Sequence, residues 1–234
     1  MILDPGRRRA LRQRSIRGVA VIAVSAGPAA LLAWVVLGSG WLAVDRVEVS
    51  GSRWLTDDQV RTAAQVPLGR PMARLDTAQT TSRLRALPSV RDVRVQRRWP
   101  STVRLTISER NATAAVRTGP DFTVLSPEGI AIARSRELPE GALRLEVARP
   151  GPDDAVTRAA LAVVEEVPEP LRDDVDVVQA TSPVTVTLVL RDGRRVVWGQ
   201  PGRAGHKSVA AQALLALPGS VVDVSAPGVV IRRP

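Results

Sequence analysis

The feature that most constrains this chain is a stretch of 27 residues without a charge, residues 18–44, which begins after Arg17 and ends before Asp45. At about 1.5 Å per residue a helix of this length reaches roughly 40 Å, more than the roughly 30 Å hydrocarbon core of a bilayer. Membrane-spanning helices tolerate glycine and proline, and Trp34 and Trp41 suit the boundary between lipid and water. The stretch therefore predicts a single transmembrane helix over residues 18–44.

The residues before this helix predict its orientation. Residues 1–17 carry six arginines against one acid, Asp4. Because positively charged flanks stay in the cytoplasm, residues 1–17 are predicted to be a cytoplasmic tail and residues 45–234 to lie outside the cytoplasm. The predicted location is the plasma membrane, as a single-pass protein with a cytoplasmic N-terminus.

Three other interpretations of this region compete with the anchor. A cleaved signal peptide has an apolar region of about 7 to 15 residues, shorter than the stretch found here. Arg8 and Arg9 resemble a twin-arginine export signal, which leaves an exported cell-envelope enzyme as the alternative function. A buried helix of a soluble protein is the third, although no other run in the chain is comparably apolar.

The net charge of +10 does not indicate a nucleic-acid partner. Six arginines and one aspartate in residues 1–17 account for +5, half of the total. Lys207 is the only lysine, and an excess of arginine with abundant alanine, valine and proline indicates a GC-rich genome rather than a phosphate-binding surface. The chain has no cysteine, so its stability must come from packing without disulfides.

Residues 45–112 predict the order strand, helix, helix, strand, strand. Thr56 and Gln59 have the spacing of a capping box at a helix start, and Asp76 and Gln79 repeat that spacing for a second helix. The strands alternate apolar and polar residues, so we expect a three-stranded sheet covered on one face by two helices. The predicted core consists of Val47, Val49, Val60, Leu84, Val93, Val95, Leu105 and Ile107.

Residues 113–234 predict a β-rich second domain with short helices. Asp153 or Asp154 can cap a helix, and Asp192-Gly193 is typical of a hairpin turn. Residues 135–153 are rich in proline, glutamate and glycine, so we expect them to form an excursion. A helix is expected from Lys207 to Leu217, with Ala210, Ala213, Leu214 and Leu217 on its packing side.

The sequence offers few groups for catalysis, so we interpret the protein as non-enzymatic. His206 is the only histidine, and the acid pairs such as Asp57-Asp58 are adjacent in sequence, so their side chains diverge. The glycines at 202 and 205 lack the Gly-Lys-Ser/Thr ending of a phosphate-binding loop. We expect no cofactor, no metal and no small-molecule substrate.

The order of elements after a membrane anchor resembles a POTRA domain. The phrases VDRVEVSG, LPSVRDVRVQRRWPSTVRLTISERNATAAV and FTVLSPEGIAI are similar to those of the FtsQ/DivIB family of bacterial cell-division proteins, and so is the carboxyl-terminal pattern DGRRVVWGQPGRAGHKSVAAQALL. The resemblance implies an α+β fold, with a POTRA domain (β-α-α-β-β) over residues 45–112 and an FtsQ-type β domain over residues 113–234.

The same resemblance implies a function. Members of this family are scaffolds of the division machinery at the septum, so the implied partners are FtsB-like and FtsL-like proteins. Through these, the chain would be linked to a septal peptidoglycan synthase similar to the FtsW and FtsI pair. The POTRA domain is generally associated with recruitment, and the second domain with binding FtsB.

The last strands are the predicted partner-binding region. A strand near the end of a chain tends to be a sheet edge, whose unpaired backbone groups a partner strand can complete. The alternative is that these residues only close the sheet of the second domain. Tyrosines that some relatives place near the last strand are absent, and Ala226 and Pro227 stand there instead. The predicted site residues are Val222, Asp223, Val224, Ser225, Val229, Val230 and Ile231.

Overall fold

The computed structural model describes Gly27, Trp34 and residues 40–216, 219–226 and 229–233, the last of these by backbone alone. The predicted cytoplasmic tail and most of the predicted transmembrane helix lie outside the described residues. Within the described residues, no helix has the length and apolar character needed to cross a bilayer. The described part of the chain divides into two compact units: the first holds the described residues up to Gly51 with Thr56–Leu84 and Val93–Ile107, and the second holds Ser52–Leu55, Arg85–Asp92 and the described residues from Ser108 onward.

The first sheet has three strands in the order β1-β3-β2, with β1 and β3 parallel. This is the α+β arrangement expected for residues 45–112. Its elements in chain order are β1 Arg46–Ser50, α1 Asp57–Ala64, α2 Thr77–Arg85, β2 Val90–Arg98 and β3 Thr102–Glu109, with short 3-10 turns at Gly40–Leu42 and Met72–Arg74.

The predicted helix starts are confirmed. The Thr56 hydroxyl accepts a hydrogen bond from the Gln59 backbone N–H at 3.2 Å, and the Gln59 side-chain oxygen accepts one from the Thr56 N–H at 2.9 Å. At α2 the Asp76 carboxylate accepts from the Gln79 N–H at 2.9 Å. These bonds satisfy backbone donors that have no partner within the helix, so local sequence sets both helix starts.

The core of this unit follows the alternation of the strands. Of the predicted core residues, five are buried: Val60, Leu84, Val93, Leu105 and Ile107. The other three, Val47, Val49 and Val95, are only half-buried, and all three lie on β1 or β2, the outer strands of a sheet whose centre is β3. On the opposite face Arg104 donates to the Glu48 carboxylate, at 2.9 Å from Nη2.

The last five residues of the uncharged stretch, residues 40–44, belong to the first folded unit. Gly40–Leu42 form the 3-10 turn, Ala43 makes a β-bridge with Pro71, and Val44 is buried. The 22 uncharged residues that remain, 18–39, still give about 33 Å as a helix, enough to span a bilayer.

The second sheet has nine strands in the order β12-β11-β10-β9-β8-β7-β4-β5-β6. Three neighbouring pairs are parallel, namely β10 with β11, β7 with β8 and β4 with β7. The strands are β4 Ala114–Thr118, β5 Asp121–Leu125, β6 Ala131–Ser135, β7 Leu143–Glu146, β8 Val175–Ser182, β9 Thr185–Leu190, β10 Arg195–Val197, β11 Val221–Ala226 and β12 Val229–Arg233.

Helices make two of the crossovers that these parallel pairs require. α3 Ala155–Glu166 and the single turn α4 Glu169–Arg172 connect β7 to β8, and α5 Ala204–Leu215 connects β10 to β11. Asp154 is the cap of α3, accepting from the Thr157 N–H at 2.6 Å, which decides between the two aspartates that the sequence offered. The hydrophobic core is one cluster, in which Leu161 and Val164 of α3 meet the buried faces of the central strands.

The prediction that residues 135–153 form an excursion from the second domain is wrong for residues 143–146. Leu143–Glu146 form β7, a strand between β4 and β8 near the centre of the sheet. Leu143 and Leu145 are buried, while Arg144 donates to Asp176 at 2.8 Å and Glu146 accepts from Gln179 at 2.8 Å. Because the polar residues are paired across strands, a four-residue segment with only two apolar side chains fits this position.

Candidate interface at the edge of the large sheet

The predicted docking strand, β12, lies at one edge of the nine-stranded sheet. It pairs on one side with β11 in antiparallel register, with Asp223 opposite Ile231. Its other side faces no neighbouring strand among the described residues. An edge of this kind presents backbone N–H and C=O groups in the spacing that an added strand needs.

The pairing of β11 with β12 contains a bulge. The register runs from Asp223 opposite Ile231 to Ala226 opposite Val229. Two residues of β11, Val224 and Ser225, therefore stand against one residue of β12, Val230. A bulge bends its strand and increases the local twist, and such irregularities are frequent beside functional edges.

The predicted site residues of β11 divide between two faces. Val222 and Val224 are buried in the hydrophobic core, so their side chains hold the strand to the sheet and are not offered to a partner. Asp223 and Ser225 are half-buried on the opposite face, and the Asp223 carboxylate accepts from the Ser225 N–H at 2.9 Å. Val229, Val230 and Ile231 are placed in β12 by their backbone.

A depression of about 540 Å³ lies beside the end of β11. Its walls come from the start of α5 and the segment before it, and from the last residues of β11; they include Gly202, Arg203, His206, Lys207, Ser225 and Ala226. His206 lies in the first turn of α5 and is exposed. A concave surface with basic side chains around it therefore lies beside the edge of the sheet.

Polar contacts hold the segment between β10 and α5 in place. The Glu166 carboxylate, at the end of α3, accepts from the Trp198 indole N–H at 3.1 Å and from the Gly202 N–H. Trp198 is fully buried. The Lys207 ammonium donates to the Gln200 carbonyl and lies 5.8 Å from the centre of the Trp198 ring. One carboxylate, one indole and one ammonium thus fix the wall of the depression to the core.

Burial lowers the pKa of Lys207 below its usual range, and the nearby Arg203 acts in the same direction. The carboxylate of Glu166 opposes this by favouring the charged form. Lys207 therefore has a structural role. The Glu166 carboxylate and the Gln200 carbonyl compensate its buried positive charge, as is usual for buried charges.

The packing side predicted for the last helix is partly wrong. Lys207 and Ala211 are the buried residues of α5, Ala210 and Leu214 are half-buried against the core, and Ala213 is exposed. Leu217 lies outside the described residues. Sequence reasoning missed Lys207 because a lysine is normally placed on a solvent face; its being the only lysine in an arginine-rich chain was the available signal.

Metal ligation has no evident site in this part of the molecule. Across the described residues, no group of three or more histidine, cysteine, aspartate or glutamate side chains is placed to hold an ion. The edge presents backbone hydrogen-bonding groups, and the depression beside it is lined by backbone and side chains of β11 and α5.

Comparison with known proteins points to one family. A family model described as POTRA domain, FtsQ-type, matches residues 42–110, and one described as Cell division protein FtsQ/DivIB, C-terminal, matches residues 114–225. The chain is 37% identical over 222 residues to Cell division protein FtsQ of Streptomyces bingchenggensis, covering 91% of this chain and 82% of the relative. It is 34% identical over 229 residues to Cell division protein FtsQ of Mycolicibacterium smegmatis, covering 96% and 68%.

A solved structure of the major extracytoplasmic domain of the cell-division protein DivIB from Geobacillus stearothermophilus, in its trans isomer, is also similar. It is 20% identical to this chain, and the alignment covers 47% of this chain and 98% of that one at a TM-score of 0.35.

Proposed function

Because the chain belongs to the FtsQ/DivIB family of bacterial cell-division proteins, we propose that it is a bitopic, non-enzymatic scaffold of the division machinery. In this proposal residues 1–17 form a cytoplasmic tail and residues 18–39 span the plasma membrane. The two units described above work outside the cytoplasm at the division septum. The scaffold binds FtsB-like and FtsL-like proteins and through them is coupled to septal peptidoglycan synthesis by an FtsW/FtsI-like pair.

The observation that carries the proposal is the position of β12. It is the last strand of the sheet, its outer side has no strand beside it in the described structure, and the depression next to β11 gives room for side chains of a bound segment. An FtsB-like segment that adds as a further strand gains main-chain hydrogen bonds from β12 and side-chain contacts from the depression. The same placement supports Val229, Val230 and Ile231 as the pairing residues.

Proline substitutions at two adjacent positions test this docking. Successive N–H groups of a strand point to opposite sides, so of Val230→Pro and Ile231→Pro one removes a donor towards β11 and the other removes a donor towards the free edge. The full chain, solubilised from membranes, is used to capture an FtsB-like partner, and circular dichroism reports the fold of each variant.

We expect the variant that stays folded to lose most of the captured partner, because its lost donor faces outward. Val230→Ala serves as the control, since a side-chain truncation leaves the main-chain bonds intact and is expected to reduce capture only modestly. Two folded proline variants that capture the partner at full strength would place the interface elsewhere on the molecule.

The membrane topology has its own test. Alkaline extraction of membranes should leave the full chain in the pellet, and protease added outside intact spheroplasts should digest the two folded units and spare residues 1–17. A mature chain released into the medium would contradict the anchor and return the exported enzyme to consideration.

A further inference from the structure

Three large apolar side chains are exposed at one end of the first unit. Trp41 is 88% exposed, Leu68 is 64% exposed and Trp99 is 53% exposed. They come from three separate segments: the 3-10 turn Gly40–Leu42, the loop after α1, and the turn between β2 and β3. A soluble surface normally scatters such residues singly, so their grouping needs an explanation.

Backbone hydrogen bonds join the three segments at the start of β1. The Val44 N–H donates to the Arg70 carbonyl and the Val44 carbonyl accepts from the Gly69 N–H, both at 2.8 Å. The Asp45 N–H donates to the Ser101 carbonyl, also at 2.8 Å. Because β1 and β3 are parallel, the turn that precedes β3 lies at the end where β1 begins. We call the surface formed by Trp41, Leu68 and Trp99 the apolar end.

Three exposed arginines accompany the apolar end: Arg46, Arg70 and Arg98. Among the described residues none of their guanidinium groups takes part in an ion pair, whereas Arg61, Arg85 and Arg104 all do. Asp45 is the exposed acid beside them. The apolar end therefore carries an excess of uncompensated positive charge.

The chain itself brings this surface to a bilayer. Trp41 follows the uncharged residues 18–39 by two positions, and two extended residues reach at most about 7 Å. Tryptophan is the residue that favours the boundary between hydrocarbon and water, and arginine pairs with the phosphates of anionic lipid headgroups. Both are present at the end of the unit where the predicted transmembrane helix arrives.

We propose that the apolar end docks on the outer headgroup layer of the membrane that holds the transmembrane helix. Trp41, Leu68 and Trp99 enter the interface, and the three arginines contact anionic lipid phosphates. The proposal rests on the membrane anchor of the proposed function. Its consequence is orientation: Trp41 alone is a single attachment, whereas Leu68 and Trp99 add two further contacts that fix the first unit on the membrane surface.

The absence of cysteine from the chain makes the test direct. Single cysteines are introduced by Leu68→Cys and, as a control, by Val184→Cys, which replaces a 62% exposed apolar residue of the second unit. A third variant, Leu32→Cys, reports the anchor itself. The full-length chain carrying a fluorophore at each site is reconstituted into vesicles of phosphatidylcholine with phosphatidylglycerol, or of phosphatidylcholine alone, containing spin-labelled quencher lipids.

We expect the label at position 68 to be quenched several-fold more than the label at position 184 in vesicles that contain phosphatidylglycerol. The difference should shrink without the anionic lipid, and again when Arg70→Glu and Arg98→Glu are added. Circular dichroism checks that each variant is folded. Because Leu68 and both arginines are exposed, these changes leave the core untouched.

The remaining outcomes separate the docking from the anchor. Quenching at position 32 with a label at position 68 that behaves like the one at 184 overturns the docking and leaves the anchor standing. No quenching at position 32 removes the anchor and the docking with it. A further outcome is that the label at position 68 responds only when a partner protein is reconstituted together with the chain. That result assigns the surface to the partner and also overturns the proposal.

Discussion

Gly199, between β10 and α5, packs closely against β11. Its φ is +77°, and a Cβ added there would lie 2.6 Å from the Cβ of Ser225 on β11. Both the left-handed backbone and the contact oppose any larger residue. We expect Gly199→Ala to lower the free energy of unfolding by about 1 to 3 kcal/mol, measured by denaturant titration.

Gly193→Ala is the matched control for this prediction. Gly193 has a similar φ of +88°, but an added Cβ would meet nothing within 4 Å. It therefore reports the cost of the backbone conformation alone, and the excess cost at Gly199 reports the approach to β11. Equal losses in the two variants would show that the segment before α5 shifts away from β11 at no cost in stability.

Glu128 gives a prediction for acid stability. The hydrogen bond from the Ser126 hydroxyl, assisted by Arg110, holds the pKa of Glu128 below its usual range, although burial acts to raise it. A carboxyl whose pKa is lower in the folded state adds stability above its unfolded pKa, about 4.3, and that stability is lost as pH falls through the folded pKa. Below about pH 4.3, we expect the free energy of unfolding of the Glu128→Gln variant to fall less steeply with decreasing pH than that of the unsubstituted protein. Parallel pH profiles of the two proteins would contradict the role of this carboxylate.

At the scale of single elements, β3 is the central strand of the first unit's sheet. Leu105 is fully buried at the centre of the sheet, and its neighbour Arg104 lies on the opposite face beside Glu48. We expect Leu105→Ala to cost about 2 to 5 kcal/mol of unfolding free energy. Arg104→Ala should cost less than about 1 kcal/mol, because its ion pair is partly exposed. A larger loss at Arg104 would mean that the strand faces are exchanged.

The elements that could be predicted from sequence are those whose own residues specify them. β3 alternates over its whole length, and α1 carries both halves of its capping box, so each announces its face or its boundary locally. β7 does not, since its four residues become a strand only between β4 and β8, which come from distant parts of the chain. The contacts of Glu166 with Trp198 and with Gly202 join residues more than thirty positions apart, beyond the reach of any local pattern.

The candidate site shows the same division. The last strand and its place near an edge follow from its position and its apolar run, which the sequence displays. The alternation of apolar and polar residues in β11 also shows that Val222 and Val224 turn into the core while Asp223 and Ser225 turn away. The parallel pairing of β11 with β10 is not displayed, because α5 separates the two strands in the chain.

At the scale of the whole molecule, the start of the first unit determines what an isolated ectodomain contains. The chain has no cysteine, and each unit has buried apolar residues of its own, so the part outside the predicted membrane helix should fold without disulfides. Val44 is 1% exposed and its backbone makes two hydrogen bonds, to Gly69 and Arg70. A soluble fragment therefore needs to begin before Val44 to keep this contact.

We expect residues 40–234 to unfold cooperatively and to be more stable in the first unit than residues 45–234. Burying a valine contributes about 1.5 to 3 kcal/mol. In the shorter fragment the Gly69 N–H and the Arg70 carbonyl also lose their hydrogen bonds to Val44. Denaturant titration of the two fragments measures the difference, and a Val44→Ala variant of the longer fragment, which keeps the backbone bonds, separates the packing part. Two fragments of equal stability would show that residues 40–44 add nothing to the fold, and a longer fragment without a cooperative transition would show that the units need the anchor.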